Sequence, residues 1–401
     1  MNSFFLFELR YRLKRPATYI YALVFFVFGI VFLTTDAVRI GGGYGKVFSN
    51  APYNIHQIIS ITGILGLFII MAFHAVPVYR DAEFKMDTFL YAYPIRKRNY
   101  ILGRFAGTFV MCSAVYFMLP LGMMVGELIN KALHPDTTDF GPFRASNYIW
   151  PYLTASLPAI LLLGVMFFSL VSLSRKMMYA YIIAISFIVL YSISQNLISD
   201  MDNKSAASLL DPFGLTAAGR VTEYWSIAQK NTELVPLAGV YLWNRLIWLS
   251  LSVLVLLATV LRFRMSPVAD GGKAKNRQSE KIEKQTATVP SRGFMPDFSP
   301  FKAFLTLAVL EIRQTLRNIF FLSFLFAIAL YMGMDAWYAD RSFETGIHPV
   351  TGTMLETVTS NLFSILSIAL IIFLAGEIVW RERQAKMEGI YDAFPIPNGV
   401  I

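Results

Sequence analysis

The chain has 401 residues, of which 56% are hydrophobic and only 15% charged, with a mean hydropathy of +0.53. Soluble domains carry about 25% charged residues, so this composition excludes an ordinary soluble enzyme and points to the bilayer. The net charge of +9 would suit nucleic acid, but its placement follows the positive-inside pattern, and nucleic acid is not an expected partner.

The chain opens with a charged segment, Glu8, Arg10, Arg12, Lys14 and Arg15. No small-residue cleavage site follows the first apolar run, which is therefore expected to stay as an anchor. Phe5, Leu9 and Leu13 fall at i, i+4 and i+8, which predicts a short amphipathic helix at the membrane interface, ended by Pro16. A frayed cytosolic lead-in is the alternative. Eight membrane spans are then expected over 18–35, 58–78, 104–129, 150–173, 177–198, 240–261, 319–338 and 360–379. The third contains Gly103/Gly107 and Gly122/Gly126 at the GxxxG spacing that lets helices approach closely. Residues 199–236 hold Leu209, Leu210, Pro212, Phe213, Tyr224 and Trp225, apolar enough to return to the membrane as short helices along the sixth span. Residues 266–300 are polar and charged, which predicts a flexible cytoplasmic linker. A second amphipathic helix follows, with Leu305, Val309, Ile312 and Leu316 on one face.

The expected fold class is thus an all-α polytopic transmembrane bundle. Residues 1–265 form a first unit of interfacial helix plus six spans, and residues 301–401 begin a second with two spans. With the N-terminus in the cytoplasm, 26 of the 35 Lys and Arg residues fall in cytoplasmic segments, which sets the orientation.

Residues 80–96 (RDAEFKMDTFLYAYPIR) and 381–397 (RERQAKMEGIYDAFPIP) are two copies of one segment at a constant offset of 301. The offset matches Arg80 with Arg381, Lys85 with Lys386, Asp87 with Glu388, Tyr93 with Phe394 and Pro94 with Pro395. An even number of spans separates the copies, so the duplication is parallel. Ile401 aligns with Tyr100, and the second unit is expected to continue past it. Both copies combine charges, aromatics and proline. That is the make-up of a docking element, in which aromatics such as Phe89 and Tyr93 anchor and charges set register. A turn-forming, basic loop is the plain alternative.

Polar residues inside the spans are few. His74 is expected to pack on a backbone carbonyl, Glu377 to reach the interface or pair with Arg381, and Arg104 and Arg245 to snorkel, the latter beside Trp243 and Trp248. GxxxxGK[ST], HExxH and GxSxG do not occur. The four histidines are scattered, and Cys112 is the only cysteine. No catalytic residue, cofactor site or metal site is expected, and the chain is not read as an enzyme.

The interfacial helix, the span pair and the basic segment before the third span resemble the permeases of the type-2 ABC exporter superfamily. The stretches LLDPFGL (209–215), EYW (223–225), AQKNTELVPL (228–237) and LWNRLIWL (242–249) are similar to a narrower bacterial group, often from Bacteroidota. Its two-half permeases are fused to a C-terminal gluzincin aminopeptidase-like domain, which these residues lack. The resemblance implies an integral protein of the bacterial inner membrane, exporting an unknown substrate with a cytoplasmic ABC ATPase dimer as partner. It implies that residues 80–98 and 381–397 dock on that ATPase, through Arg80, Lys85, Asp87, Phe89, Tyr93 and Pro94, and through Arg381, Lys386, Glu388, Phe394 and Pro395. The alternative is a membrane anchor for a metallopeptidase without transport. An ion-coupled carrier is disfavoured by the poverty of buried charge.

The charge bias makes a direct prediction. In a Cys112-free background, cysteines at Lys46, Lys131, Lys230 and Arg341 should react with an impermeant thiol reagent from outside. Reaction from outside at Lys85, Lys275 and Lys386 instead would reverse the topology.

Overall fold

Lipid offers no hydrogen bonds to a polypeptide backbone, so apolar segments close their own bonds as helix. The computed structural model describes residues 2–35, 47–84, 86, 95–135, 139–197, 204–265 and 300–318, with scattered positions between 321 and 333 and at 371. Among the described residues there are helices and turns but no strand. The described helices fall into two units.

In the first unit, α1 (Asn2–Leu13) is followed by α2 (Pro16–Thr34), α3 (Pro52–Leu65), α4 (Leu67–His74) and α5 (Val76–Glu83). Then come α6 (Lys97–Tyr116), α7 (Met118–Leu133), α8 (Ser146–Pro151), a π-helical turn (Tyr152–Ser156), α9 (Leu157–Ser174) and α10 (Met178–Leu197). Three short helices, α11 (Lys204–Leu210), α12 (Leu215–Val221) and α13 (Ile227–Thr232), precede α14 (Gly239–Arg262). The second unit contributes α15 (Pro300–Arg317), whose Leu305, Val309, Ile312 and Leu316 are all exposed.

Five segments are long and apolar enough to cross a membrane: Pro16–Thr34, Lys97–Leu133, Ser146–Ser174, Met178–Gln195 and Gly239–Arg262. Pro52–Ile64 and Leu67–Asp81 together make a sixth candidate, bent by 53°. The chain is an all-helical integral membrane protein. Two contacts set relative directions: Asn130 near the end of α7 donates to the Leu33 carbonyl near the end of α2 at 2.9 Å, so α2 and α7 run the same way, and Lys97 at the start of α6 reaches the Leu261 carbonyl at the end of α14 at 3.2 Å, so α6 and α14 run oppositely. Residues 266–299 of the expected linker, the second docking copy, Glu377 and the eighth span apart from Ile371 lie outside the described residues, as does most of the seventh.

Apolar side chains gain little by leaving lipid for another helix, so close backbone approach must supply the adhesion. The α2–α7 seam does this with glycine from both sides. A Cβ at Gly29 would overlap the Leu119 carbonyl, one at Gly122 would overlap the Phe26 carbonyl, and one at Gly126 would lie 2.8 Å from the Ile30 oxygen. Gly107 serves α1 in the same way, with the Glu8 Cβ 2.7 Å from where its own Cβ would stand.

Proline explains the π turn. Pro158 has no N–H, so the Thr154 carbonyl four residues earlier loses its helical donor. Tyr241 of α14 supplies the missing hydrogen bond, its hydroxyl donating to that oxygen at 2.9 Å. The expected short helices within 199–236 are present, and α11 and α12 pack on α14.

α1, expected as an amphipathic helix at the membrane interface, also has a side that packs on the protein. Glu8 is fully buried and Phe4, Tyr11 and Arg12 are partly so, while Leu6, Phe7 and Leu13 are about half exposed. An ion pair with α6, described below, turned the helix.

The glycine seam predicts contrasting variants. Gly122→Leu should cost at least about 1–3 kcal/mol, read as a lower thermal midpoint in detergent. Gly219→Ala in α12, where nothing lies within 4 Å, should be neutral or stabilising.

Candidate functional site

The site begins with Arg104, two turns into α6, which is 3% exposed. A buried guanidinium must be paired and hydrogen-bonded to remain charged. Its Nη1 donates to Glu8 Oε2 of α1 at 3.1 Å, and its Nη2 donates to Asp81 Oδ2 of α5 at 2.5 Å. The Tyr100 hydroxyl, one helical turn before Arg104, donates to the same Asp81 oxygen at 2.8 Å. Glu8 also pairs with Arg12 at 3.7 Å within α1. Arg12 in turn donates to the Phe73 carbonyl of α4 and stands 4.5 Å over the Phe73 ring. Burial lowers the Arg12 pKa, and Glu8 opposes the shift. One connected set of charges thus joins α1, α4, α5 and the first turns of α6.

This set brackets the expected docking segment, residues 80–98. Asp81 stands at its entrance and Tyr100 and Arg104 just past its exit. Arg80 is half-buried, with its guanidinium 4.1 Å over the Tyr11 ring of α1; Arg15 packs on the same ring. Phe84, Met86, Arg96, Lys97 and Arg98 are exposed. The other expected contact residues lie outside the described residues: Lys85, Asp87, Phe89, Tyr93 and Pro94, and Arg381, Lys386, Glu388, Phe394 and Pro395.

Two further buried polar clusters occupy the opposite end of the helices. In the first, Glu127 of α7 is fully buried. It accepts from Asn50 Nδ2 at 2.8 Å, from Lys131 Nζ at 2.5 Å and from the Tyr148 hydroxyl. Asn50 also clasps Gly141, through its amide nitrogen to the carbonyl at 3.0 Å and its oxygen from the N–H at 2.8 Å. A cavity of about 50 Å³ opens beside them, lined by Phe48, Gly141, Arg144, Asn147 and Asn231 among others.

In the second, Asp211 is fully buried, its carboxylate accepting from the Phe213 N–H at 2.8 Å and the Thr216 N–H at 2.6 Å. Burial raises its pKa, opposed by those N–H groups and by Arg245. Asn244 donates to the Asp211 carbonyl at 2.7 Å and the Ser208 carbonyl at 2.8 Å, and Arg245 donates to the Phe213 carbonyl. Gly214 adopts φ +75°, and a Cβ there would collide with the Arg245 guanidinium, so glycine is required twice over. LLDPFGL and LWNRLIWL are therefore the two sides of one joint.

Several expectations change. Arg104 and Arg245 do not snorkel: each is 3% exposed and bonded inside the protein. Trp248 donates to the Leu209 carbonyl at 3.1 Å, whereas Trp243 is 63% exposed. Glu8, Asp81, Arg104, Glu127, Asp211 and Arg245 are all buried, so poverty of buried charge no longer argues against an ion-coupled carrier. Sequence reasoning had passed over Glu8, Asp81, Glu127 and Asp211 as bonded groups. The available signal was Glu8 and Arg12 standing at i+3 and i+7 from Phe5, charges on a face that also carries apolar residues. His74 meets its expectation, with Nδ1 2.9 Å from the Ile70 carbonyl. Among the described residues no three His, Cys, Asp or Glu side chains converge to hold a metal. No protein-family model matches the chain, and no curated protein matches it.

The network predicts its own fragility. Arg104→Ala leaves buried Asp81 without its cation and Glu8 with Arg12 alone, and should destabilise the protein by about 3–5 kcal/mol. Thermal unfolding in detergent, with Arg98→Ala as the exposed control, measures the difference.

Proposed function

We propose that this chain is the membrane permease component of an ATP-driven ABC-type exporter in a bacterial inner membrane. A cytoplasmic ATPase dimer docks on residues 80–98 and, in the second unit, on residues 381–397. The observation that carries the reading is the Glu8–Arg104–Asp81 network. It locks both ends of residues 80–98 to α1, so a push on the segment moves the second and third spans as one body. A loop that merely joined two spans would need no buried ion network at its base. Exposed Phe84 and Met86 near one end of residues 80–98 and exposed Arg96, Lys97 and Arg98 at the other have the make-up of the apolar anchors and charged rim of a docking surface. The outward side of α1, with Leu6, Phe7 and Leu13 beside Arg10 and Lys14, suits the lipid headgroup region.

The chain has no phosphate loop, so its energy must come from a partner. Purified from native membranes, it should bring an ATPase with it. In proteoliposomes, ATP hydrolysis should depend on residues 80–98, and the triple variant Phe89→Ala, Tyr93→Ala, Pro94→Ala should uncouple hydrolysis from substrate movement. If that variant leaves every activity of the full-length protein intact and no ATPase co-purifies, the chain is an anchor.

A further inference from the structure

Hydroxyls buried in these helices usually bond back to their own chain. Thr62 donates to the Ile58 carbonyl at 2.7 Å, Ser172 to Phe168 at 2.6 Å, Ser252 to Trp248 at 2.7 Å and Thr259 to Val255 at 2.7 Å. That habit removes a polar group from the bundle interior. Ser60 of α3 and Ser113 of α6 depart from it: both hydroxyls are buried and have no hydrogen-bond partner. The Tyr116 hydroxyl, one turn beyond Ser113, shares this condition. So do both ring nitrogens of His56 and the Nε2 of His74.

His56, Ser60 and His74 lie on α3 and α4, and Tyr116, one turn beyond Ser113 on α6, meets their break at Gly66. His56 lies edge-on to Tyr241 of α14, with ring centroids 5.7 Å apart. Ser60 is one turn further along α3. At the break between α3 and α4, the Tyr116 hydroxyl fills the space a side chain at Gly66 would take, and Phe25 closes on Tyr116 at 4.4 Å between ring centroids. Beyond the break, His74 Nε2 faces Gly164 of α9, 2.6 Å from where a Cβ would stand. From His56 to His74 is roughly 27 Å of helix, close to the ~30 Å thickness of a bilayer core. An unpaired buried polar group is costly, and a row of them across the membrane is not a packing solution. Broken helices with polar linings are how membrane proteins place sites at mid-depth.

We infer that the second span lines a polar path across the membrane, closed at Gly66, where the Tyr116 hydroxyl is its constriction. This rests on the permease reading. Residues 54–74 hold no charged side chain, and hydroxyl and imidazole groups both donate and accept. The path therefore takes water and the uncharged hydrogen-bonding groups of a solute, hydroxyls or amides, rather than a bare ion.

The test uses the full chain with its co-purified ATPase in proteoliposomes, in a Cys112→Ala background. The probe is 2-hydroxyethyl methanethiosulfonate, a small neutral water-soluble thiol reagent. During ATP turnover, Ser60→Cys and Ser113→Cys should be modified roughly tenfold or more faster than Ile59→Cys and Leu163→Cys, because a thiol held in apolar surroundings is inert. Ile59 and Leu163 are themselves fully buried, which makes them fair controls. Equal rates at all four positions would overturn the path. Tyr116→Phe gives a reading independent of labelling. A hydroxyl that bonds no protein group adds no stability, so the thermal midpoint should hold or rise. A fall of several degrees would show that the hydroxyl is a structural tie and overturn its role as constriction. Fast labelling that ignores ATP would keep the path and remove the exporter reading. Slow labelling in a complex whose hydrolysis still depends on residues 80–98 would remove the path alone.

Discussion

A guanidinium cannot be buried without anions, and the first unit is organised around that demand. Arg104 lies inside the protein because α1 brings Glu8 and α5 brings Asp81 to it. Gly107, one turn further along α6, lets α1 come close enough for the pairing. The ion pair and the small residue are therefore one device. Without the pairing, α1 would be free to show lipid or solvent any of its faces. With it, the helix is held in one rotation, with Leu6, Phe7 and Leu13 outward.

The two ends of the helices are built on different chemistry. At the α1 end, whole charges are exchanged between α1, α5 and α6, and the neighbouring apolar packing joins Val78, Tyr100, Ile101, Phe105, Val165, Phe168 and Phe263. At the opposite end, Glu127 and Asp211 are held mainly by amides, hydroxyls and backbone N–H groups, which fix loops and short helices onto the long ones. Buried ion pairs resist being pulled apart, so α1, α5 and α6 are held together at this end. Side-chain to backbone ties set the course of irregular chain, which suits an end made of short helices and turns. Between the ends, glycine seams hold the helices together where lipid gives no hydrophobic drive.

The second span is where these themes meet. One end is fixed to Arg104 through Asp81, its middle breaks against Tyr116, and its other end faces Tyr241 through His56. Tyr241 in turn closes the gap that Pro158 opens in the fourth span. A single bent helix thus connects the charge network with the proline-adjusted turn.

Much of the helical layout could be read from residues alone. Apolar runs of membrane length locate helices because lipid leaves the backbone no other choice, and Pro16 and the Gly122/Gly126 pair mark a bend and a seam by local rules. The likeness of residues 80–96 to residues 381–397 is equally plain, since it is a property of the sequence itself. What the residues did not disclose was pairing. Arg104 and Arg245 read as snorkelling cations because, on a single helix, nothing distinguishes a side chain reaching for water from one reaching for a carboxylate 96 positions away in the sequence. Glu8 read as one polar residue of an amphipathic helix until α6 presented its arginine. Nothing in the residues marks Gly66; it stands out only because Tyr116 occupies the space beside it. Helix is decided by each segment's own backbone in its solvent. Burial of charge, helix rotation and the break in the second span are decided by which partner comes within a few ångströms, and only the tertiary structure sets that.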